Sequence, residues 1–242
     1  MRFLFKAFTL NQTLLHMETT FAIDQVMVRY DLDKAHRILY SYDALKQLDV
    51  NHAFIMQLLD LFENEASFKA ENFDAFSLAV IVDYIQKTHH YYLSKKLLEI
   101  EQNITLLLKD YESQHPLLAV LHNFYTRYHK HLADHIQEEE AVLLPYILAL
   151  ESKNLTITNS FKSMHVGFSL QHFIESHHDV EDDLNVARQA ILKYNPPATN
   201  STPYRILLSQ LQALEKDLAI HALIEDHVLI PRALQLERDL YN

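Results

Sequence analysis

A histidine followed four residues later by a glutamate occurs twice in this chain in closely matching surroundings. His135 to Leu150 reads HIQEEEAVLLPYILAL, and His221 to Leu236 reads HALIEDHVLIPRALQL. Both copies continue with the same Val-Leu pair, the same proline (Pro145 and Pro231) and the same two later leucines. On a helix, positions i and i+4 lie one above the other on one face, so His135 with Glu139 and His221 with Glu225 each form a pincer of one imidazole and one carboxylate. Two pincers on facing helices can hold a pair of metal ions.

A single pair of this kind is commonly a surface hydrogen bond. The second pincer, however, sits inside an apolar stripe of Leu214, Leu218, His221, Ile224, Glu225, Val228 and Leu229 at helical spacing. A carboxylate on a core face is costly unless it is paired or bound to metal. The duplicated context therefore argues for ligation.

The elements that would carry these residues follow from composition. The chain has 242 residues, 49% of them hydrophobic, with one Gly and six Pro. Few breaks and long intervals rich in Leu, Ala, Glu, Lys and Gln predict an all-α protein with no sheet. The absence of cysteine excludes disulfides, Cys-ligated zinc or iron–sulfur clusters, and thiol catalysis. Against it stand sixteen His, many in runs: His89-His90, then His129, His131 and His135, and His177-His178.

A formal charge of −11 repels nucleic acid and anionic membranes. The longest apolar stretch, Ala141 to Leu150, is far short of a bilayer span and contains a proline. The opening MRFLFKAFTL is too short and too interrupted by Lys6 for a secretory signal. No nucleic-acid partner, no membrane and a cytoplasmic location are the expectations.

The spacing predicts a small helical N-terminal region over 1–70 and a four-helix bundle over 71–242. Between Ala35 and Glu65, short helices are broken or capped near Asp49 and Asn51. Helix A runs from about Phe73 to Tyr111, helix B from Pro116 to Glu151, helix C from Thr158 to Tyr194 and helix D from Tyr204 to Leu240, the last two separated by a Pro-rich loop. Long helices with short connections pack as an antiparallel up-and-down bundle, whose metal sites are built from inward side chains. Pro145 and Pro231, each six residues after its Glu, should kink or open their helices. Helices A and C must then supply the remaining ligands, from His89-His90 and His177-His178.

These residues resemble the hemerythrin-like bundle and, within it, the iron-centre repair di-iron proteins. The resemblance covers about residues 75 to 240, and HALIEDHVLIPRAL is similar to that family's closing signature. It implies a metal ligand at His90 on the first helix, chosen by its spacing to Leu97, then His135 and Glu139 on the second and His221 and Glu225 on the fourth. The third-helix ligand falls on His177 by an ungapped match back from His221, and the stripe Leu170, Phe173, His177, Val180, Leu184 favours it; His178 is the alternative.

The implied cofactor is two Fe ions in an oxo- or hydroxo-bridged centre, a nitrogen and oxygen donor set that Mn or Zn would also accept. The implied role is repair or protection of iron centres under nitrosative or oxidative stress, with damaged iron-protein clients as partners. A carrier or sensor of O2 or NO, with peroxide as a further small ligand, is the second reading. Repair proteins of this kind carry adjacent cysteines near the N-terminus, which this chain lacks. The ferritin-like alternative, marked by Glu-x-x-His, would use Glu112 with His115 and Glu175 with His178, but the first pair abuts Pro116. Tyr128, one heptad before His135, reads as a packed tyrosine.

Overall fold

The computed structural model describes residues 24–30, 51–111, 117–164, 168–176 and 202–241. Every regular element among them is helical. By internal packing the chain divides into two compact units, Met1–Lys87 and Thr88–Asn242.

In the first unit, helix α1 (His52–Glu63) is started by Asn51, whose side chain accepts the Phe54 N–H at 3.1 Å. That bond satisfies one of the amide donors orphaned at any helix start. The helix buries Phe54, Ile55, Leu58, Leu61 and Phe62. Phe54 meets Phe73, Phe76 and Tyr84 edge to face, with ring centroids 5.2 to 6.0 Å apart. Such contacts add to the burial itself by setting the quadrupoles of the rings against one another.

Helix α2 (Leu78–Tyr91) begins after Ser77, whose hydroxyl accepts the Val80 N–H at 3.3 Å. The chain upstream, Ala70–Phe73, is a 3-10 turn, so helix A starts later than its expected Phe73. The first of three π turns among the described residues, Tyr92–Lys96, joins α2 to α3 (Leu97–Tyr111). Helix α4 (Leu117–Glu138) passes through a second π turn, Glu139–Leu143, into α5 (Leu144–Glu151).

The region expected as helix C begins earlier, as α6 (Leu155–Met164), and continues as α7 (Leu170–Ser176); the remainder of that expectation lies outside the described residues. Lys153, with φ of 53°, makes the left-handed turn between α5 and α6. Helix α8 (Thr202–Ile224) runs through a third π turn, Glu225–Leu229, into α9 (Ile230–Tyr241).

Within the second unit, α3 packs on α4 and on α8, and α5 packs on α6 and α9. Polar bonds tie the same pairs. Tyr125 donates to the Leu97 carbonyl at 3.1 Å, and Asn103 donates to Gln210 at 2.6 Å. Ile100, Ile104, Leu132, Ile136, Leu207, Leu211, Leu214 and Leu218 fill the interior. Tyr128 is buried against Phe124 and Tyr125, as a packing residue. Among the described residues, no helix is long and apolar enough to cross a membrane.

Candidate metal centre

The second unit brings a set of imidazoles and carboxylates together in its interior. Glu139 is fully buried and Glu225 is 3% exposed, depths at which an unpaired carboxylate is strongly disfavoured. Glu139 has a histidine beside each oxygen: its Oε2 is 3.1 Å from His89 Nε2, and its Oε1 is 2.9 Å from His135 Nε2. Glu225 Oε2 lies 3.1 Å from His221 Nε2. The His89 and His221 rings are 5.1 Å apart at their centroids.

One donor atom from each of His89, Glu139 and His221 falls within 4.8 Å of the others, and all three residues are buried. Both His-to-Glu pincers thus close on themselves as i,i+4 spacing requires. The set is nitrogen and oxygen only, suited to a borderline transition metal such as iron, manganese or zinc. The buried Nδ1 of His221 has no hydrogen-bond partner among the described residues. A donor set this deep, with an unsatisfied imidazole nitrogen, fits a bound cation.

His89, not His90, enters this cluster. His89 is 2% exposed, whereas His90 lies on the solvent side of α2. Spacing to Leu97 points to His90 only along a regular helix, and the π turn Tyr92–Lys96 lies between them. A π turn closes its backbone bond at i+5 and so holds one extra residue, moving the residue aligned with Leu97 from seven positions back to eight. The buried positions Ile81, Ile85 and Tyr92 share His89's face of the helix and were the signal that could have found it. His177 and His178 lie outside the described residues, as does the pair Glu112 and His115.

The two glutamates each open a π turn. The Glu139 carbonyl accepts the Leu144 N–H and the Glu225 carbonyl accepts the Ile230 N–H, both five residues on. Pro145 and Pro231 come next and have no N–H to offer. The expected opening of both helices takes the form of a wider turn.

Electrostatics favour a charged imidazole in the absence of metal. Burial works against the His89 cation, but the carboxylates of Glu139 and Glu140, one beside each ring nitrogen, and the charge of Glu225 outweigh it, raising the pKa to about 9. Glu140, which sequence reasoning missed, sits 2.8 Å from His89 Nδ1. Its signal was an acid directly after the glutamate in both copies, Glu140 and Asp226.

With this arrangement in view, relatedness to characterised proteins becomes informative. No protein-family model matches the chain. It is 25% identical over 152 residues to the iron-sulfur cluster repair protein ScdA of Staphylococcus epidermidis, covering 63% of this chain and 65% of that protein. It is 22% identical over 149 residues to ScdA of Staphylococcus haemolyticus, covering 62% and 64%. It is also 26% identical over 161 residues to the iron-sulfur cluster repair protein YtfE of Salmonella paratyphi B, covering 66% and 68%. The chain thus spans just under two thirds of the length of the staphylococcal relatives. It resembles the iron-sulfur cluster repair proteins.

Proposed function

We propose that this chain is a non-haem di-iron protein, its second unit an antiparallel four-helix bundle, acting in repair or protection of iron centres under nitrosative or oxidative stress. The observation that carries this reading is the buried cluster of His89, Glu139 and His221, flanked by His135 and Glu225. The ligands would be His89, His135, Glu139, His221 and Glu225, with His177, the position the family resemblance implies, as the sixth. The resemblance to proteins named for iron-sulfur cluster repair favours iron over manganese or zinc.

Iron held there would supply one-electron chemistry and an open coordination position for O2, NO or peroxide. The chain's own part is to hold two carboxylates in a buried interior. Imidazoles face them, and Tyr92, its ring centroid 6.0 Å from that of His221, is buried beside them. Damaged iron-containing proteins are the proposed clients, in the cytoplasm. A hemerythrin-like carrier or sensor of O2 or NO is the second reading, favoured by the lack of any cysteine in the chain.

Metal content and the visible spectrum of protein from iron-replete cells test the centre. Two iron atoms per chain with charge-transfer bands are expected, and trace metal only would end the proposal. Recovery of activity by an NO-damaged iron–sulfur enzyme separates repair from simple ligand binding. Repair requires recovery that depends on the iron-loaded protein, whereas reversible NO or O2 binding without recovery would select the carrier.

A further inference from the structure

We infer that Glu140 is the residue that aims His89 at the metal position: it holds the Nδ1 side of the ring so that Nε2 is the nitrogen presented to the cluster. The inference rests on the reading that this cluster binds metal. It goes beyond the ligand set to how one ligand is oriented.

His89 is gripped from both sides by adjacent residues of the helix facing it. Its Nδ1 lies 2.8 Å from Glu140 Oε1, and its Nε2 lies 3.1 Å from Glu139 Oε2. The Nδ1 contact is a well-formed hydrogen bond; the Nε2 contact is close but lacks hydrogen-bond alignment. The ring nitrogens thus have different environments, one bonded to a carboxylate that is 32% exposed and the other turned into a fully buried group of donors.

A histidine ligates through a nitrogen without a proton, and the bond made by the other nitrogen decides which one that is. A carboxylate acceptor at Nδ1 keeps the proton there and leaves the Nε2 lone pair for the cation. It also makes the imidazole a better donor. His221 has no equivalent, since its Nδ1 makes no hydrogen bond among the described residues. Asp226, the counterpart of Glu140 in the second copy, is exposed. The local sequence pattern is duplicated, but in the described residues this carboxylate-to-imidazole bond is made from the first copy.

The test titrates Zn2+ into metal-free wild type, Glu140→Ala and Glu140→Gln, with exposed Glu138→Ala as control. Nitrogen-15 NMR of the zinc-loaded proteins reads the protonation of the His89 ring. Glu140→Ala should weaken Zn2+ affinity about 10- to 100-fold and lose the protected Nδ1–H signal. Glu140→Gln, whose amide oxygen accepts the same bond, should recover most of both, and Glu138→Ala should match wild type. Glu140→Ser gives the same comparison should the alanine variant fail to fold. Wild-type affinity and an unchanged His89 signal in Glu140→Ala would overturn the role of Glu140 alone. So would a glutamine variant as weak as alanine, which would assign charge in place of orientation. Wild type that takes up no metal overturns the site itself.

Discussion

His89 Nε2 and Glu139 Oε2 lie 3.1 Å apart, joining α2 to the π turn that follows α4. The pair forms where two irregular helices meet: the π turn Tyr92–Lys96 follows His89 closely, and that of Glu139–Leu143 starts at the glutamate itself. π turns inside helices concentrate at functional sites because they change which side chains share a face.

That phase change makes a sharp prediction about neighbours. His89→Ala should lower bound iron by at least about half and shift the charge-transfer bands, since it removes a buried nitrogen donor. His90→Ala should leave both unchanged, because His90 is exposed. Elemental analysis with visible spectroscopy decides between them, and the opposite pattern would restore His90 as the ligand.

The pincers were legible because i,i+4 spacing is local: nothing between His135 and Glu139, or His221 and Glu225, disturbs helical phase. The helix ends at Tyr111 and Glu151 and the Asn51 cap were legible for the same reason. The first-helix member of the buried cluster was not, because spacing to Leu97 points to His90 across a π turn that no proline or glycine marks. Glu140 was obscured by its own setting. In the run Glu138-Glu139-Glu140 one carboxylate is exposed, one fully buried and one between, and only the facing His89 distinguishes them.

Removing metal should destabilise the fold, because the cation compensates carboxylates held in the interior. A ligand present at 100 times its dissociation constant contributes about 2.7 kcal/mol. In a protein of this size each kcal/mol shifts the melting temperature by about 2–4 °C, so chelation should lower Tm by roughly 5–10 °C. Differential scanning fluorimetry with and without chelator measures this. An unchanged Tm would mean that the cluster is satisfied without metal.

The metal-free protein should also respond to pH through His89. Its pKa is raised from an ordinary value of 6.5 to about 9, so the folded state holds this proton more tightly than the unfolded chain does. The resulting stabilisation is complete below about pH 6.5, the unfolded value, and is lost as pH rises through about 9. Chelated protein should therefore melt lower at pH 9 than at pH 6.5, while His89→Gln flattens that dependence. Metal competes with the same proton, so loading should release protons at pH 7.5 and tighten as pH rises. Calorimetric titrations in buffers of different ionisation enthalpy count those protons, and a count of zero would remove His89 from the ligand set.

The prolines offer a last test of what holds the π turns open. Pro231 cannot donate a backbone hydrogen bond, and it directly follows Ile230, whose N–H closes the π turn on the Glu225 carbonyl. If the missing donor created the turn, Pro231→Ala would let the helix return to α register, rotate Glu225 relative to His221 and lower metal content. The turn at Tyr92–Lys96 argues otherwise, since it has the same length with Leu98 at the equivalent place. Packing of Val228, Leu229 and Ile230, all buried, then holds the register, and the proline accommodates a turn that already exists. Pro231→Ala should accordingly keep full metal content and an unaltered spectrum, with stability within about 1 kcal/mol of wild type. Loss of metal from this variant would show that the missing N–H sets the geometry of the Glu225 pincer.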